Sequence, residues 1–142
     1  MSLQMVVKGV VFDEGQKSPV VLLTDLAHTV TLPIYIGMVE ATAIAVHLDK
    51  VDLGRPLTHD LMKSAIEALH GDILRVHVTE LKNGTYFARL VLHQDGRELS
   101  LDARPSDAIA LAIRAAVPIF VEEEVIDESN LLIEDDNLKH DS

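Results

Sequence analysis

The sequence contains no cysteine and no tryptophan, and only five of its 142 residues are phenylalanine or tyrosine. Without cysteine the chain has no disulfide, no thiolate metal ligand and no cysteine nucleophile. The shortage of aromatic residues means that the core must be built from valine, leucine, isoleucine and alanine. The lack of cysteine also fits a reducing compartment, so we expect a cytoplasmic protein.

Long apolar runs are missing as well. None approaches the roughly 20 residues that a membrane-spanning helix needs, and no signal-peptide pattern opens the chain. Glycine-rich phosphate loops, serine nucleophile elbows and zinc-binding spacings are also absent, so no single motif names a reaction. The length suits one domain, and 48% hydrophobic with 25% charged residues is a globular composition.

Positive charge is scarce, because 12 lysines and arginines stand against 23 acidic residues, a formal net charge of −11. This balance opposes nucleic-acid binding, which depends on neutralising phosphates. However, nine acidic residues and one lysine lie in residues 122–142, which leaves a net charge of only −3 on residues 1–121. We therefore expect a nearly balanced domain over residues 4–128, able to carry a local basic patch, and an acidic, mobile tail over residues 129–142.

Hydrophobic patterning indicates two groups of strands with helices between them. Pro33 indicates an edge strand or a bulge in the first group, and Asn83-Gly84 predicts a tight hairpin in the second. The predicted strands are 6–12, 20–23, 29–36, 73–81, 86–93, 98–102 and 118–121, and the predicted helices before the last strand are about 39–48, 58–70 and 105–116. The fold class is α+β, with a mixed, largely antiparallel sheet and three to four helices packed on it.

The most informative stretch is 101–114, where a strand turns through Pro105 into a helix that is apolar nearly all round. Such a helix is normally buried, yet this segment carries a set of charged residues: Asp102, Arg104, Asp107 and Arg114. Charges beside buried surface are costly unless they are paired. They form either a structural ion network or a site.

A second polar segment precedes and begins another helix, at residues 54–60. We predict Thr58 as the N-cap of that helix. Arg55 here and Arg104 at the other helix start suggest an anion site, because helix N-termini and guanidinium groups both donate to phosphate oxygens. The first-turn pair His59-Asp60 can supply acid–base chemistry or simply complement the helix dipole.

Glu40 and His47 form a third concentration of polar residues, on one face of the first predicted helix. The simplest interpretation is a solvated or internally satisfied pair. Carboxylates near the helix starts could also hold a hard divalent cation such as Mg²⁺, which takes oxygen ligands. From the residues alone, the sequence predicts an α+β domain with a candidate anion or metal site.

The segments that carry these residues resemble the bifunctional nuclease domain family over about residues 5–128. The resemblance lies in four stretches: IGMVEA (36–41), RPLTHDL (55–61), DARPSDAIALA (102–112) and PIFV (118–121). It implies nuclease activity on both DNA and RNA, with nucleic acid as the partner.

A nuclease needs an activated water and a means of stabilising negative charge on phosphate. Given the resemblance, the expected catalytic residues are His59, Asp60, Asp102 and Asp107, with His59 as general acid or base. The expected ligands of a divalent metal, Mg²⁺ being the first candidate, are Glu40, Asp60, Asp102 and Asp107. The expected phosphate-binding residues are Arg55, Arg104, Ser106 and Arg114.

Two other functions compete with the nuclease. The first is a non-enzymatic binding or regulatory module, which the net acidity favours. The second is a binder of small anionic metabolites that uses the same helix N-termini. Apolar edge-strand and helix surface in a chain of this length also predicts a homo-oligomer, with a dimer as the simplest form.

Overall fold

The computed structural model describes residues 1–131 and contains a seven-stranded sheet with helices packed on it. The strands are β1 (Ser2–Asp13), β2 (Ser18–Asp25), β3 (Thr31–Tyr35), β4 (Asp72–Lys82), β5 (Thr85–Gln94), β6 (Arg97–Ala103) and β7 (Ile119–Glu122). The helices are α1 (Met38–Leu48), α2 (Thr58–Ala68), α3 (Pro105–Ala115) and α4 (residues 123–131). The predicted α+β class is confirmed.

The strand order is β3-β2-β1-β7-β4-β5-β6. Only the β4–β7 pair is parallel, so the sheet is mixed and largely antiparallel, as predicted. The sequence predicted the short last strand but not its place, which is between β1 and β4. By filling that position, β7 joins the two predicted strand groups into one sheet.

Helix α3 is the centre of the core. Its residues 108–112 are almost completely buried and belong to one cluster with inward-facing strand residues such as Val76, Val78 and Val121. The alanines at 108, 110 and 112 add little bulk, so this helix can approach the sheet while α1 and α2 pack on its sides. The N-terminal turns of three helices are thereby brought into one region.

Local turn chemistry follows the sequence closely. Asn83 and Gly84 have φ values of 53° and 77° and join β4 to β5, which confirms the predicted hairpin. Pro33 lies in β3, an edge strand of the sheet, where a residue without a backbone N–H is tolerated.

The start of α2 differs from its prediction. Thr58 is the first helical residue and not the N-cap, a position that Leu57 holds without a side-chain cap. The amide of Leu57 instead donates to Oδ2 of Asp60 at 2.8 Å. The carboxylate of Asp60, at the third position of the helix, therefore accepts from the backbone amide just before the helix. The hydroxyl of Thr58 is not needed to satisfy that amide.

Two features concern the ends and surface of the described chain. The predicted tail starts at residue 129, but residues 129–131 continue α4, and the rest of that tail lies outside the described residues. Over residues 1–131, no helix combines the length and hydropathy required to cross a membrane.

Candidate active site at the helix N-termini

Three first-turn side chains meet where the helix starts converge. Glu40 comes from α1, His59 from α2 and Asp107 from α3. Each sits in the first turn of its helix, and α3 packs against both other helices, so the packing of the core brings these turns together. Arg104, the residue that precedes α3, completes the group, which we call the Arg104 cluster.

Arg104 lies between two carboxylates. Its Nε donates to Oδ2 of Asp107 at 2.8 Å, and one terminal nitrogen donates to Oδ1 of the same residue at 3.2 Å. The other terminal nitrogen donates to Oε1 of Glu40 at 3.1 Å. A planar guanidinium matches this forked arrangement, which a lysine could not reproduce.

His59 contacts the cluster through Asp107. Its side chain is only 10% exposed, and Nε2 lies 3.0 Å from Oδ1 of Asp107. Because a carboxylate can only accept, Nε2 must carry the hydrogen. The other ring nitrogen, Nδ1, is buried and has no hydrogen-bond partner in the described structure. In this conformation the imidazole orients Asp107 and does not reach solvent.

The charges in the cluster stabilise each other. Partial burial raises the pKa of Asp107, but hydrogen bonds from Arg104 and His59 outweigh it, so the net pKa is below the ordinary value. The hydrogen bond that Arg104 donates to Asp107 raises the pKa of the guanidinium. Asp107 is consequently an ionised acceptor at neutral pH.

A second carboxylate–arginine pair, Asp60–Arg114, lies nearby, and its arginine is buried whereas its aspartate is 40% exposed. Nε of Arg114 donates to Oδ1 of Asp60 at 2.7 Å, while its terminal nitrogens donate to the carbonyl oxygens of Ala110 and Ala43 at 3.0 and 2.9 Å. These contacts connect all three helices. The amide of Leu57 lowers the pKa of Asp60, burial opposes this, and Arg114 lowers it further. The pair holds the helix layer together.

The remaining predicted residues lie elsewhere or at the margin. Asp102 is exposed on β6 opposite Arg89, on the sheet face away from the helices, and Arg55 is exposed in the loop before α2. Within residues 1–131, neither makes a hydrogen bond or ion pair with the Arg104 cluster. Ser106 is buried in the first turn of α3 beside Arg104. His47 lies near Asp60 and lowers the pKa of that carboxyl, and within residues 1–131 it forms no hydrogen bond or ion pair with Glu40.

The four predicted metal ligands are therefore divided among three places. Among residues 1–131, no group of three or more histidine, aspartate and glutamate side chains is arranged to hold a metal ion. Glu40 and Asp107 do share one neighbour, Arg104. Two carboxylates are the protein share of ligands at many Mg²⁺ sites that substrate phosphates complete. The donor chemistry thus fits a cation that arrives with substrate.

Gly37 contributes to the site, although the sequence analysis did not single it out. A Cβ atom at this position would collide with Oε2 of Glu40, because the glutamate folds back over the start of α1. Only glycine leaves room for that carboxylate in its present place. The available signal was a glycine three residues before a first-turn glutamate.

Comparison with known proteins identifies the family to which this chain is similar. The model of the bifunctional nuclease domain matches residues 21–134 of this chain. An uncharacterised protein of Mycobacterium tuberculosis is 41% identical over 131 residues, which cover 92% of this chain and 78% of the relative.

Plant relatives carry the family name. Bifunctional nuclease 2 of Arabidopsis thaliana is 31% identical over 107 residues, covering 73% of this chain and 32% of the relative. Bifunctional nuclease 1 of Oryza sativa subsp. indica is 28% identical over 124 residues, covering 85% and 38%. The chain spans about a third of the length of these plant proteins. It belongs to the bifunctional nuclease domain family.

Proposed function

We propose that this protein is a nuclease that hydrolyses phosphodiester bonds in DNA and RNA, and that the Arg104 cluster is its active site. The observation that carries the proposal is the convergence of Glu40, Arg104, Asp107 and His59 from three helix starts. Family membership supports the same function, since relatives bear the name bifunctional nuclease.

Arg104 is the group proposed to bind the scissile phosphate. Its side chain is 64% exposed, although it contacts two carboxylates. A guanidinium has five N–H donors, and three of them account for the contacts to Asp107 and Glu40. Remaining donors can bind phosphate oxygens and stabilise the charge that develops there in the transition state.

Asp107 is proposed to orient the attacking water. Its carboxylate is ionised and held on two sides, so it is a fixed acceptor for a water proton. His59 positions that carboxylate through Nε2. General acid or base chemistry by His59 itself stays a prediction, because it requires Nδ1 to become accessible.

A divalent cation such as Mg²⁺ is proposed as the cofactor, held by Glu40 and Asp107 together with the substrate phosphate. Bound there, it would neutralise phosphate charge and lower the pKa of a bound water. Glu40 would gain this role when Arg104 turns from the carboxylate towards the phosphate. Asp60 and Asp102 as metal ligands stay predictions.

A non-enzymatic binding module is the second candidate, and one observation favours it. Glu40 and Asp107 are already paired with Arg104, and Asp60 is already paired with Arg114. In a binding module these ion pairs would hold the fold and would take no part in catalysis.

Met38 and Val39 leave an apolar side of α1 exposed, which supports the predicted homo-oligomer. The cytoplasmic location also stays a prediction, and light scattering of the purified protein tests the oligomer.

The deciding experiment is cleavage of single-stranded and double-stranded DNA and RNA with Mg²⁺, with Mn²⁺ and with EDTA. Asp107→Asn is compared with Asp127→Asn, an exposed change of identical chemistry on α4, purified in parallel. We expect metal-dependent cutting that Asp107→Asn loses and Asp127→Asn keeps. Equal cutting by all preparations would contradict the proposal.

The variant Asp102→Asn tests on which face of the sheet cleavage takes place. If the Arg104 cluster is the active site, this variant cuts like wild type, because Asp102 faces away from the cluster. Loss of cutting in folded Asp102→Asn with full cutting in Asp107→Asn would place the active site on the other face of the sheet.

A further inference from the structure

Helix α2 turns most of its apolar side chains towards solvent. His59 is its one buried residue, and Ile66, seven positions later on the same face, is half-buried. Five apolar residues of the helix and its C-cap are exposed, and we call them the α2 stripe: Leu61, Met62, Ala65, Ala68 and Leu69. Its two leucines are 62% and 69% exposed. Because an amphipathic helix normally buries such a stripe, its exposure indicates an interaction surface.

The α2 stripe is continuous and carries no charge. At 3.6 residues per turn its five residues fall within a band about 120° wide, centred on Ala65. The nearest charged pair of the helix, Lys63 and Glu67, lies on the other side, where the two side chains contact each other at 3.1 Å. A partner can therefore cover the band without burying an ion.

The positions of the α2 stripe are symmetric about Ala65. Leu61 and Leu69 lie four residues to either side of it, and Met62 and Ala68 lie three residues to either side. In an antiparallel two-fold contact each residue meets the one at equal distance beyond the centre. Leu61 would thus contact the partner's Leu69, and the long Met62 would pack over the partner's Ala68. The small side chain at the centre lets the helix axes approach to about 8 Å.

Charge also favours a second copy of this chain as the occupant. The protein has a net charge of −11, so two copies repel each other unless they meet through uncharged surface, which the α2 stripe supplies. Antiparallel pairing sets the negative C-terminal end of one α2 beside the positive N-terminal end of the other. The exposed carboxylate of Asp72, just past the C-terminal end, adds to this attraction.

We propose that the α2 stripe is the contact surface of a two-fold symmetric dimer of this protein. The inference gives the predicted homo-oligomer a surface and a register, and it does not depend on the proposed nuclease function. The stripe supplies five residues from each copy, fewer than the roughly 20–30 per partner of a standard interface. The dimer is therefore reversible, with a dissociation constant in the micromolar range.

The first test is sedimentation velocity at low and high micromolar concentration. The mass should rise from that of the 15.6 kDa chain towards twice that value. Ala65→Glu should weaken the dimer at least about 10-fold, because two carboxylates then meet at the two-fold axis. Ser64→Glu, an exposed change outside the stripe, should stay within about threefold of wild type. Circular dichroism verifies that each variant is folded.

Disulfide trapping tests the register, since the chain contains no cysteine of its own. Oxidised Ala65→Cys should form a covalent dimer, because two thiols at the axis are within the Cα separation of about 4.4–6.8 Å that a disulfide needs. Leu61→Cys alone should not, since its two copies lie about 12 Å apart along the helices. A mixture of Leu61→Cys and Leu69→Cys should form a mixed dimer.

Three results would overturn the inference. A protein that stays monomeric at every concentration leaves the α2 stripe to a partner of another kind. A dimer that Ala65→Glu keeps and Val39→Glu loses places the contact on the apolar side of α1. Equal trapping of Ala65→Cys and Lys63→Cys, which lies on the other side of α2, shows collision without a defined interface.

Discussion

The two arginines of helix α3 make an instructive comparison. Arg104 precedes the helix and Arg114 lies in its last turn, and each donates to an aspartate in the first turn of a helix. The side chain of Arg114 is 3% exposed, whereas that of Arg104 is 64% exposed. Two chemically similar pairs thus occupy very different environments.

The difference lies in what completes each guanidinium. Carbonyl oxygens of Ala43 and Ala110 accept from the two terminal nitrogens of Arg114, and its side chain is almost completely buried, so this arginine has a structural role. Arg104 has a second carboxylate, Glu40, and a side chain that is largely exposed to solvent. An arginine with its donors satisfied by backbone holds helices together, and one left open to solvent can bind an anion.

The largest expected effect is on catalysis, from Arg104→Ala. Losing a preorganised donor to the transition-state charge should reduce cleavage by about 10²–10³-fold. Unfolding free energy should change by less than about 1 kcal/mol, because exposed ion pairs contribute little. Initial cleavage rates and urea unfolding measure the two effects. Arg97→Ala, on the exposed edge strand β6, is the matched control, and equal rates in both variants would argue against the site.

The converse pattern is expected for Arg114→Leu. Removing this side chain takes the charged partner from Asp60 and the contacts that join α3 to α1 and α2, and we expect a loss of about 3 kcal/mol in unfolding free energy. Urea unfolding followed by circular dichroism measures it. The comparison between the two arginines would fail if Arg104→Ala destabilised the protein as much as Arg114→Leu.

A smaller effect is expected from Gly37→Ala. The new Cβ would displace the Glu40 carboxylate, a flexible group that can move at little cost in stability. Cleavage should fall by a few-fold, about 1 kcal/mol in activation free energy, because Glu40, a proposed ligand of the cation, is moved from its present place. Glu40→Gln provides the reference. A Gly37→Ala protein that cuts as fast as wild type, beside an impaired Glu40→Gln, would show that Glu40 does not depend on the glycine.

The smallest effect concerns how the Asp60–Arg114 pair changes the stability of the protein at low pH. The pKa of Asp60 is lowered from 3.8 in the folded protein, chiefly by the amide of Leu57 and also by Arg114. A lowered folded pKa contributes stability above the unfolded pKa, and that contribution is lost as the pH falls through the folded value. Asp60→Asn should therefore be less stable than wild type near neutral pH, and the gap should narrow below about pH 4. Urea midpoints across this range test it, and a constant gap would contradict the assignment.

Much of the fold could be predicted because its signals are local. The Asn83-Gly84 turn needs only two residues that tolerate positive φ, and Pro33 marks an edge strand because it lacks a backbone donor. The apolar character of residues 108–112 also predicted the buried helix. The N-cap of α2 was missed because the side chain of Asp60 competes with Thr58 for the same kind of donor.

The candidate site was predictable in composition and not in arrangement. The sequence placed Asp60, Asp102 and Asp107 in one ligand set, but strand alternation turns Asp102 to the far face, and Asp60 pairs with Arg114 instead of joining the Arg104 cluster. Glu40 joins Arg104 across 64 residues of sequence, a contact that no local pattern contains.

By itself, then, the sequence determined the α+β class and the kinds of polar residue at the helix starts, because these depend on local propensity and hydrophobic period, and its motifs carried the resemblance to the family. Which carboxylate pairs with which arginine, and which pair stays open, was decided only by the tertiary structure. The reason is that solvent exposure and pairing distance depend on how α1, α2 and α3 pack together.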